Sequence, residues 1–228
     1  MRASQTLLCV ALAAALLPGC KKKEESLAAP AATTASEAAT PATTIPTPAA
    51  APAADPVTAQ VFDFNAVPVS DKPLGVWPYI APPAGYAWDD ADEITKNTKD
   101  LARVPVWTGG ELLWVEGKVF SEDIEAADGK TYSRFEVRKG IEQAIAAIGG
   151  QRIGERSFDE AVYRANEKAL SDFNSEFSDM SNADWYNQDA DTYLVRRADK
   201  AIWFVTTANN DRTVMMVAEG PLPAAPAQ

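Results

Sequence analysis

The side chains that could do chemistry in this sequence are carboxylates and aromatic rings, because its 228 residues include no histidine. Without histidine there is no Ser-His or Cys-His nucleophile pair and no imidazole base or metal ligand. Two facing carboxylic acids could still hydrolyse a glycosidic bond, but no acidic pair stands in a recognisable strand-end context. A glycine-rich phosphate loop and a G-x-S-x-G motif are also missing. We therefore expect no enzyme activity, no catalytic residue and no cofactor.

Two acidic stretches could in principle bind a cation. The cluster at residues 89–93 (DDADE) could also cap a segment that begins near Ile94, because anions are favourable at helix N-termini. Residues 187–191 match the first three ligands of a calcium loop, but the twelfth position is Ala198, where such a loop has a bidentate Glu. A helix cap or solvated surface is favoured for the first stretch, and no metal site is assigned.

Aromatic residues are the best material for recognition. Residues 68–88 contain five prolines among aromatic rings, which predicts irregular but packed structure. Such a stiff aromatic segment can line a ligand or partner groove, and we name Trp77, Tyr79 and Tyr86 as possible contacts. The alternative is that these rings fill the core of the domain.

The N-terminus is typical of an export signal. Arg2 precedes an apolar run over residues 7–17, which is shorter than the roughly 20 residues that a membrane-spanning helix needs and fits a signal-peptide core. Residues 17–20 (LPGC) resemble the lipobox of bacterial lipoprotein precursors. That resemblance implies cleavage before Cys20 and lipidation of Cys20, with acyl chains such as palmitate. An ordinary signal peptide cut elsewhere is the alternative.

The same resemblance implies a location. Three lysines follow Cys20 directly and could pair with anionic lipid head groups, or could belong to a solvated spacer. No aspartate follows Cys20, which by likeness to sorting patterns in this lipoprotein class points to the outer membrane. We expect a lipid-anchored protein whose domain faces the periplasm, with exposure at the cell surface as the alternative.

Composition divides the chain into five parts. Residues 1–19 are the predicted signal peptide, and residues 20–26 hold the lipidated cysteine and a charged juxtamembrane segment. Residues 27–60 contain 14 Ala, 7 Thr and 6 Pro, too little large apolar surface to offset ordering entropy, which predicts a disordered tether. Residues 61–222 predict one domain and residues 223–228 a disordered tail. The net charge of -11, with no basic stripe, argues against nucleic acid as a partner.

Hydrophobic patterns predict the elements of the domain. Residues 112–120 are expected to form a strand and residues 127–130 a turn. Apolar residues at helical spacing predict one helix up to Gly149 and a second over residues 158–173, with Ser157 as its N-cap. Three strand-like runs follow, at residues 192–197, 201–207 and 213–219. The expected fold class is α+β: an antiparallel sheet with a C-terminal three-stranded meander and about two amphipathic helices packed on one face.

The domain also resembles a known module in the order of several short motifs. These are residues 69–71 (VSD), 74–79 (LGVWPY), 83–86 (PAGY), 115–118 (VEGK), 148–150 (IGG), 193–196 (YLVR) and 202–203 (IW). Together they are similar to the N-terminal module that precedes OmpA-like domains in uncharacterised outer-membrane lipoproteins. The OmpA-like domain itself is absent from this sequence, and no residues match its peptidoglycan-binding motif. The resemblance implies an envelope location and a fold, without an activity.

Three functions remain open at this stage. The first is a lipid-anchored cell-envelope lipoprotein whose non-catalytic module contacts another envelope protein or a cell-wall component. The second is a periplasmic small-ligand-binding domain that uses an aromatic groove, and the third is a carboxylate-only hydrolase. An exposed apolar patch would favour the first, a closed aromatic pocket the second, and two facing carboxylates in a cleft the third.

Overall fold

A computed structural model describes residues 62–177, 180 and 189–223. The predicted signal peptide, Cys20, the predicted tether and all of the predicted tail except Pro223 lie outside the described residues, as does Asn187 of the calcium-like stretch. None of the helices in the described part of the chain is both long and apolar enough to cross a membrane.

Seven strands and two α-helices have described bounds. In chain order they are β1 (Tyr86–Trp88), β2 (Thr98–Trp107), β3 (Leu112–Ala126), α1 (Arg134–Ala147), β4 (Gln151–Gly154), α2 (Glu160–Glu176), β5 (Ala190–Arg196), β6 (Ala201–Ala208) and β7 (Thr213–Gly220). All seven strands belong to one antiparallel sheet. The α+β class is confirmed, and so is the meander, which is formed by β5, β6 and β7.

The long strand β3 organises one side of this sheet. Along the main path the strand order is β1-β3-β7-β6-β5-β4, and β2 pairs with β3 as well. The first half of β3 pairs with β2, from Trp107↔Leu112 onwards, and its last three residues pair with β1. Its middle and second half pair with β7, from Lys118↔Glu219 to Ile124↔Thr213. The first residues of β3, before Lys118, therefore have a strand on one side only.

The two helices lie on opposite faces of the sheet, which corrects the expectation that both lie on one face. The apolar side chains of α1, such as Ile141, pack with Tyr193 and Phe204. Those of α2, such as Phe173, pack with Trp203. Neighbouring residues of a strand point to opposite faces of its sheet. Trp203 and Phe204 are neighbours in β6, so the helix that packs on one of them lies on the opposite face from the helix that packs on the other.

Helix ends follow from local side chains. Ser133 caps α1 by accepting from the backbone N–H of Glu136, and Gly149 after its end takes the left-handed conformation, with φ 87°, as a C-terminal glycine commonly does. For α2 the predicted cap Ser157 is wrong. Asp159 is the N-cap, because its carboxylate accepts from the N–H of Val162 at 3.0 Å.

The segment before β1 has little regular structure, as expected, and packs against α1. The Ser70 hydroxyl donates to the Ile148 carbonyl at 3.0 Å, and Lys72 donates to that of Ala146. The acidic cluster at residues 89–93 does not cap a helix; Asp89, Asp90 and Asp92 are exposed, in agreement with the solvated-surface prediction. It surrounds a single 3-10 turn at Ala91–Glu93, which has no side-chain cap at Asp90, and the chain then enters β2, a strand that the sequence did not predict.

Candidate interaction site

The structure brings together two of the three predicted contact residues, Trp77 and Tyr79. Their ring centroids are 5.2 Å apart and the rings are nearly perpendicular; both are half-buried against the α1-side core. The Trp77 indole N–H donates to Thr98 Oγ1 at 2.9 Å, and Lys118 Nζ lies 4.6 Å from the centroid of the Trp77 ring. The Trp77 side chain is therefore engaged by contacts within the domain.

Tyr79 is held in the same way. Its hydroxyl donates to Glu219, and Lys200 Nζ donates to Glu219 Oε2 at 3.0 Å. Burial raises the pKa of Tyr79, and the hydrogen bond to Glu219 raises it further. The phenol is thus a proton donor at neutral pH and not a nucleophile. The two rings fill the space between the irregular segment and the sheet.

Tyr86 lies apart from this pair and belongs to the core, with 8% of its surface exposed. Its hydroxyl accepts from the backbone N–H of Ser133 at 3.0 Å and donates to Glu136 Oε2 at 2.7 Å. Because Ser133 is the N-cap of α1, Tyr86 fixes the start of that helix. Little of its ring is left for a ligand or partner to contact.

The acidic residues of the calcium-like stretch that the structure describes are engaged by arginines. Asp189 pairs with Arg134 at 2.6 Å. Asp191 is buried and accepts two hydrogen bonds from Arg138, at 2.6 and 2.7 Å. The hydrogen bond to Asp191 raises the pKa of the Arg138 guanidinium. These carboxylates therefore join α1 to β5.

Two buried carboxylates in β3 bear on the hydrolase alternative. Glu122 accepts from the side-chain amide of Asn97, and Asp123 accepts from Arg212 Nη1 at 2.7 Å. Adjacent strand residues point to opposite faces of a sheet, so these two groups do not face each other. They do not provide the opposed acid and base that glycoside hydrolysis requires.

A groove of about 540 Å³ lies beside the first half of β3. We call it the β3 edge groove. Its lining residues are Leu113, Trp114, Val115, Glu116, Trp203, Pro221, Leu222 and Pro223. One wall is thus the edge of β3, the other is the chain that leaves β7, and Trp203 contributes an aromatic ring from β6.

The groove exists because the β3–β7 ladder stops early. Lys118 pairs with Glu219, and the next hydrogen-bonded pair would join Glu116 to Pro221. Proline has no backbone N–H to donate, and residues 221–223 line the groove without pairing with β3. Among the described residues, the register of β3 with β7 begins at Lys118, and residues 112–116 pair with β2 alone.

The aromatic walls of the groove are held in place from behind. Trp203 is 1% exposed, and the rings of Phe62 and Phe64 each lie 6.3 Å from its ring. On the outer face, the Arg103 guanidinium lies 4.5 Å from the centroid of the Trp114 ring. Packing of this kind gives the groove a formed shape before any partner arrives.

Sequence reasoning did not find this groove. Its available signal is the proline at residue 221, two positions after the end of the last predicted strand, which marks the end of pairing. The pattern of residues 112–120 predicts a strand, but it does not show which edge of that strand is covered. Comparisons of the chain with models of protein families, with curated proteins and with solved structures find no match in any of the three.

Proposed function

We propose that the chain is a lipid-anchored lipoprotein of the bacterial cell envelope, attached through Cys20 to the outer membrane. Its domain acts as a non-catalytic module that contacts another envelope protein or a cell-wall component, on the periplasmic side or, alternatively, at the cell surface. The lipobox resemblance at residues 17–20 supports the anchor. The β3 edge groove is the observation that carries the binding role.

The shape of the groove favours a macromolecular partner. It is open along a strand edge and lined by apolar side chains such as Leu113, Val115 and Leu222, and exposed apolar surface of this kind is typical of interaction sites. The small-ligand alternative needs an aromatic pocket around Trp77 and Tyr79. That alternative is less favoured, because those two rings contact each other, Thr98 and Glu219.

The test uses the full-length protein in living cells with a photo-crosslinking amino acid at a single position. Position 222 lies in the groove. Position 135 is the matched control, since Phe135 is 77% exposed and lies at the start of α1. We expect a reproducible crosslink to one envelope protein or to cell-wall material from position 222 and not from position 135. Crosslinks from position 135 alone would contradict the proposed binding surface.

Anchoring is tested separately. Cells that express the wild-type chain or the Cys20→Ser variant are labelled with radioactive palmitate and fractionated. We expect label and membrane retention in the wild type and loss of both in the variant, because several acyl chains give stable anchoring. Equal labelling of the two chains would contradict the assignment of Cys20 as the lipidated residue.

A further inference from the structure

We propose that the β3 edge groove binds an extended, cationic segment of another protein as an additional strand beside β3. This inference rests on the proposed binding function and specifies the chemistry of the partner. It follows from three observations: which backbone groups face the groove, how the other sheet edges are protected, and which charges surround the site.

The register of the β2–β3 hairpin fixes the direction of the backbone groups. The N–H of Thr108 donates to the carbonyl of Glu111 at 3.0 Å, so these two residues form a hydrogen-bonded pair. Pairs alternate along an antiparallel ladder, and the register runs Trp107↔Leu112 to Arg103↔Glu116. The N–H and C=O groups of residues 112, 114 and 116 therefore point away from β2. Those of Trp114 face the groove, and the carbonyl of Glu116 lies beside Gly220 at the end of β7.

Other edges of the sheet carry features that hinder strand addition. In β2, Pro105 lies opposite Trp114 and so occupies an outward-facing position, where it offers no N–H. The strand β4 has four residues and an irregular register between Arg152 and Gly154. Natural sheets use prolines, bulges and short strands to block unwanted pairing. Residues 112–116 of β3 contain no proline, lysine or bulge.

Side chains at the groove define the pattern of the added strand. Its inward residues would lie beside Leu113 and Val115, on the face of Trp203, and should be apolar. Its outward residues would lie beside Trp114 and Glu116. Glu116 pairs there with Arg103 at 3.6 Å and is 69% exposed, so a lysine or arginine opposite it would share this carboxylate with Arg103.

Charge also distinguishes a foreign partner from a second copy of this chain. Residues 62–223 carry 17 basic and 28 acidic residues, which accounts for the whole net charge of -11. Two such domains would repel each other when joined edge to edge, whereas a cationic segment would be attracted. The occupant we infer is thus a basic strand of a different protein.

The first test measures binding of a fluorescent peptide of alternating valine and lysine to the full-length chain in mild detergent. The control peptide has the same sequence with N-methyl groups on the alternate amides of one edge, and a second control has them on the other edge. If each lost hydrogen bond is a typical one, methylation of the pairing edge should weaken binding at least about tenfold. Equal binding of all three peptides would overturn strand addition.

The second test changes the protein. Trp114→Pro removes the outward-facing N–H, and Trp114→Thr removes the ring but keeps that N–H. We expect the proline variant to bind the unmethylated peptide at least about fivefold more weakly than the threonine variant. Thermal unfolding of both variants confirms that they are folded, and the methylated peptides keep the test valid if the proline variant is not. Equal affinity of two folded variants would contradict the proposal.

Hydrogen exchange identifies other occupants. In the free chain the amides of residues 112, 114 and 116 should exchange faster than those of residues 113 and 115, and the peptide should protect them. Protection without peptide would mean that the chain itself or a second copy fills the edge, and light scattering separates those two cases. Either result overturns the proposal for a foreign strand. A crosslink from position 222 that persists alongside equal binding of the methylated peptides would reject the strand mode and leave the envelope module intact.

Discussion

Pro105 and Trp114 lie directly opposite each other in the β2–β3 ladder, at a pair whose backbone N–H and C=O groups are not used between the two strands. On the β2 side this position is a proline, which closes that edge to a further strand. On the β3 side it is a tryptophan whose amide faces the groove. The two edges of one hairpin are thus opposite in their capacity to accept a partner.

Replacement of Tyr193 by Phe should change the response of the domain to alkali. Burial raises the pKa of Tyr193 above its ordinary value of 10, and Asp191 raises it further. Above pH 10 the unfolded chain loses this proton while the folded chain keeps it, so stability falls as pH rises. We expect Tyr193→Phe to lose less stability than the wild type between pH 9 and about pH 11, as measured by urea unfolding. Identical slopes would refute this.

At neutral pH the same substitution should cost little. Among the described residues the Tyr193 hydroxyl has no hydrogen-bond partner, so we expect a change within about 1 kcal/mol. The matched comparison is Tyr86→Phe, which removes hydrogen bonds to Ser133 and Glu136 and should cost about 1–2 kcal/mol. A larger loss in Tyr193→Phe than in Tyr86→Phe would show that the Tyr193 hydroxyl is satisfied in solution.

The ion pair between α1 and β5 should contribute measurably to stability. The Asp191 side chain is 7% exposed, and its partner Arg138 is 40% exposed. Loss of a buried partner typically costs 3–5 kcal/mol, so for this half-buried pair we expect Asp191→Ala to cost about 2 kcal/mol. The control Asp189→Ala removes a pair that is 60% and 44% exposed and should cost less than about 1 kcal/mol. Urea unfolding of the two variants measures both losses of stability. Equal losses would mean that the burial of Asp191 does not strengthen its ion pair.

Gly117→Ala should separate β3 from β7 at the end of their ladder. A Cβ atom at this position would lie 1.9 Å from the carbonyl oxygen of Glu219, and this neighbour is backbone. We expect the free energy of unfolding to fall by about 2–3 kcal/mol. Gly129→Ala is the control, because its Cβ meets no atom within 4 Å and only its φ of 80° is unfavourable, at about 1 kcal/mol. A smaller loss at Gly117 than at Gly129 would mean that the two strands have room between them.

Two tryptophan substitutions should separate stability from binding. Trp77→Phe removes the hydrogen bond to Thr98 and should lower the unfolding free energy by about 1 kcal/mol without changing the crosslink from position 222. Trp114→Ala should reduce that crosslink, because Trp114 lines the groove. Melting curves and the in-cell crosslink are measured on both variants. A lost crosslink in Trp77→Phe would instead place the partner at the Trp77–Tyr79 pair.

The sequence predicted the elements whose pattern is local. The meander, both helices and the irregular segment all followed from spacing and turn residues. Strand β2 was missed because Pro105 and the charged residues at 99–103 break its alternation, yet the proline costs no ladder bond where it stands. The placement of the helices on opposite faces has a signal in the sequence of β6. Residues 201–205 (AIWFV) are apolar without alternation, and such a continuous apolar run is typical of a strand that is covered on both faces.

The site was harder to predict than the fold, because it depends on the point at which β3 and β7 stop pairing. The prediction of Trp77 and Tyr79 as contacts rests on the aromatic and proline-rich composition of residues 68–88. In the structure these two side chains bond to Thr98 and Glu219 within the domain. The open edge at residues 112–116 is decided by where Pro221 falls in the ladder, which needs the register of β3 with β7. The pattern of a single sequence can predict a strand, but it does not show which other strands pair with it.

The contact of Phe62 and Phe64 with Trp203 has a mechanical consequence. These two rings are where the described chain enters the domain, so tension transmitted from a membrane anchor would act on them first. Trp203 also lines the β3 edge groove. A pull strong enough to peel the two phenylalanines away would break the bonds from Arg196 to the carbonyls of Phe64 and Asn65. It would also uncover the Trp203 ring and so deform one side of the β3 edge groove.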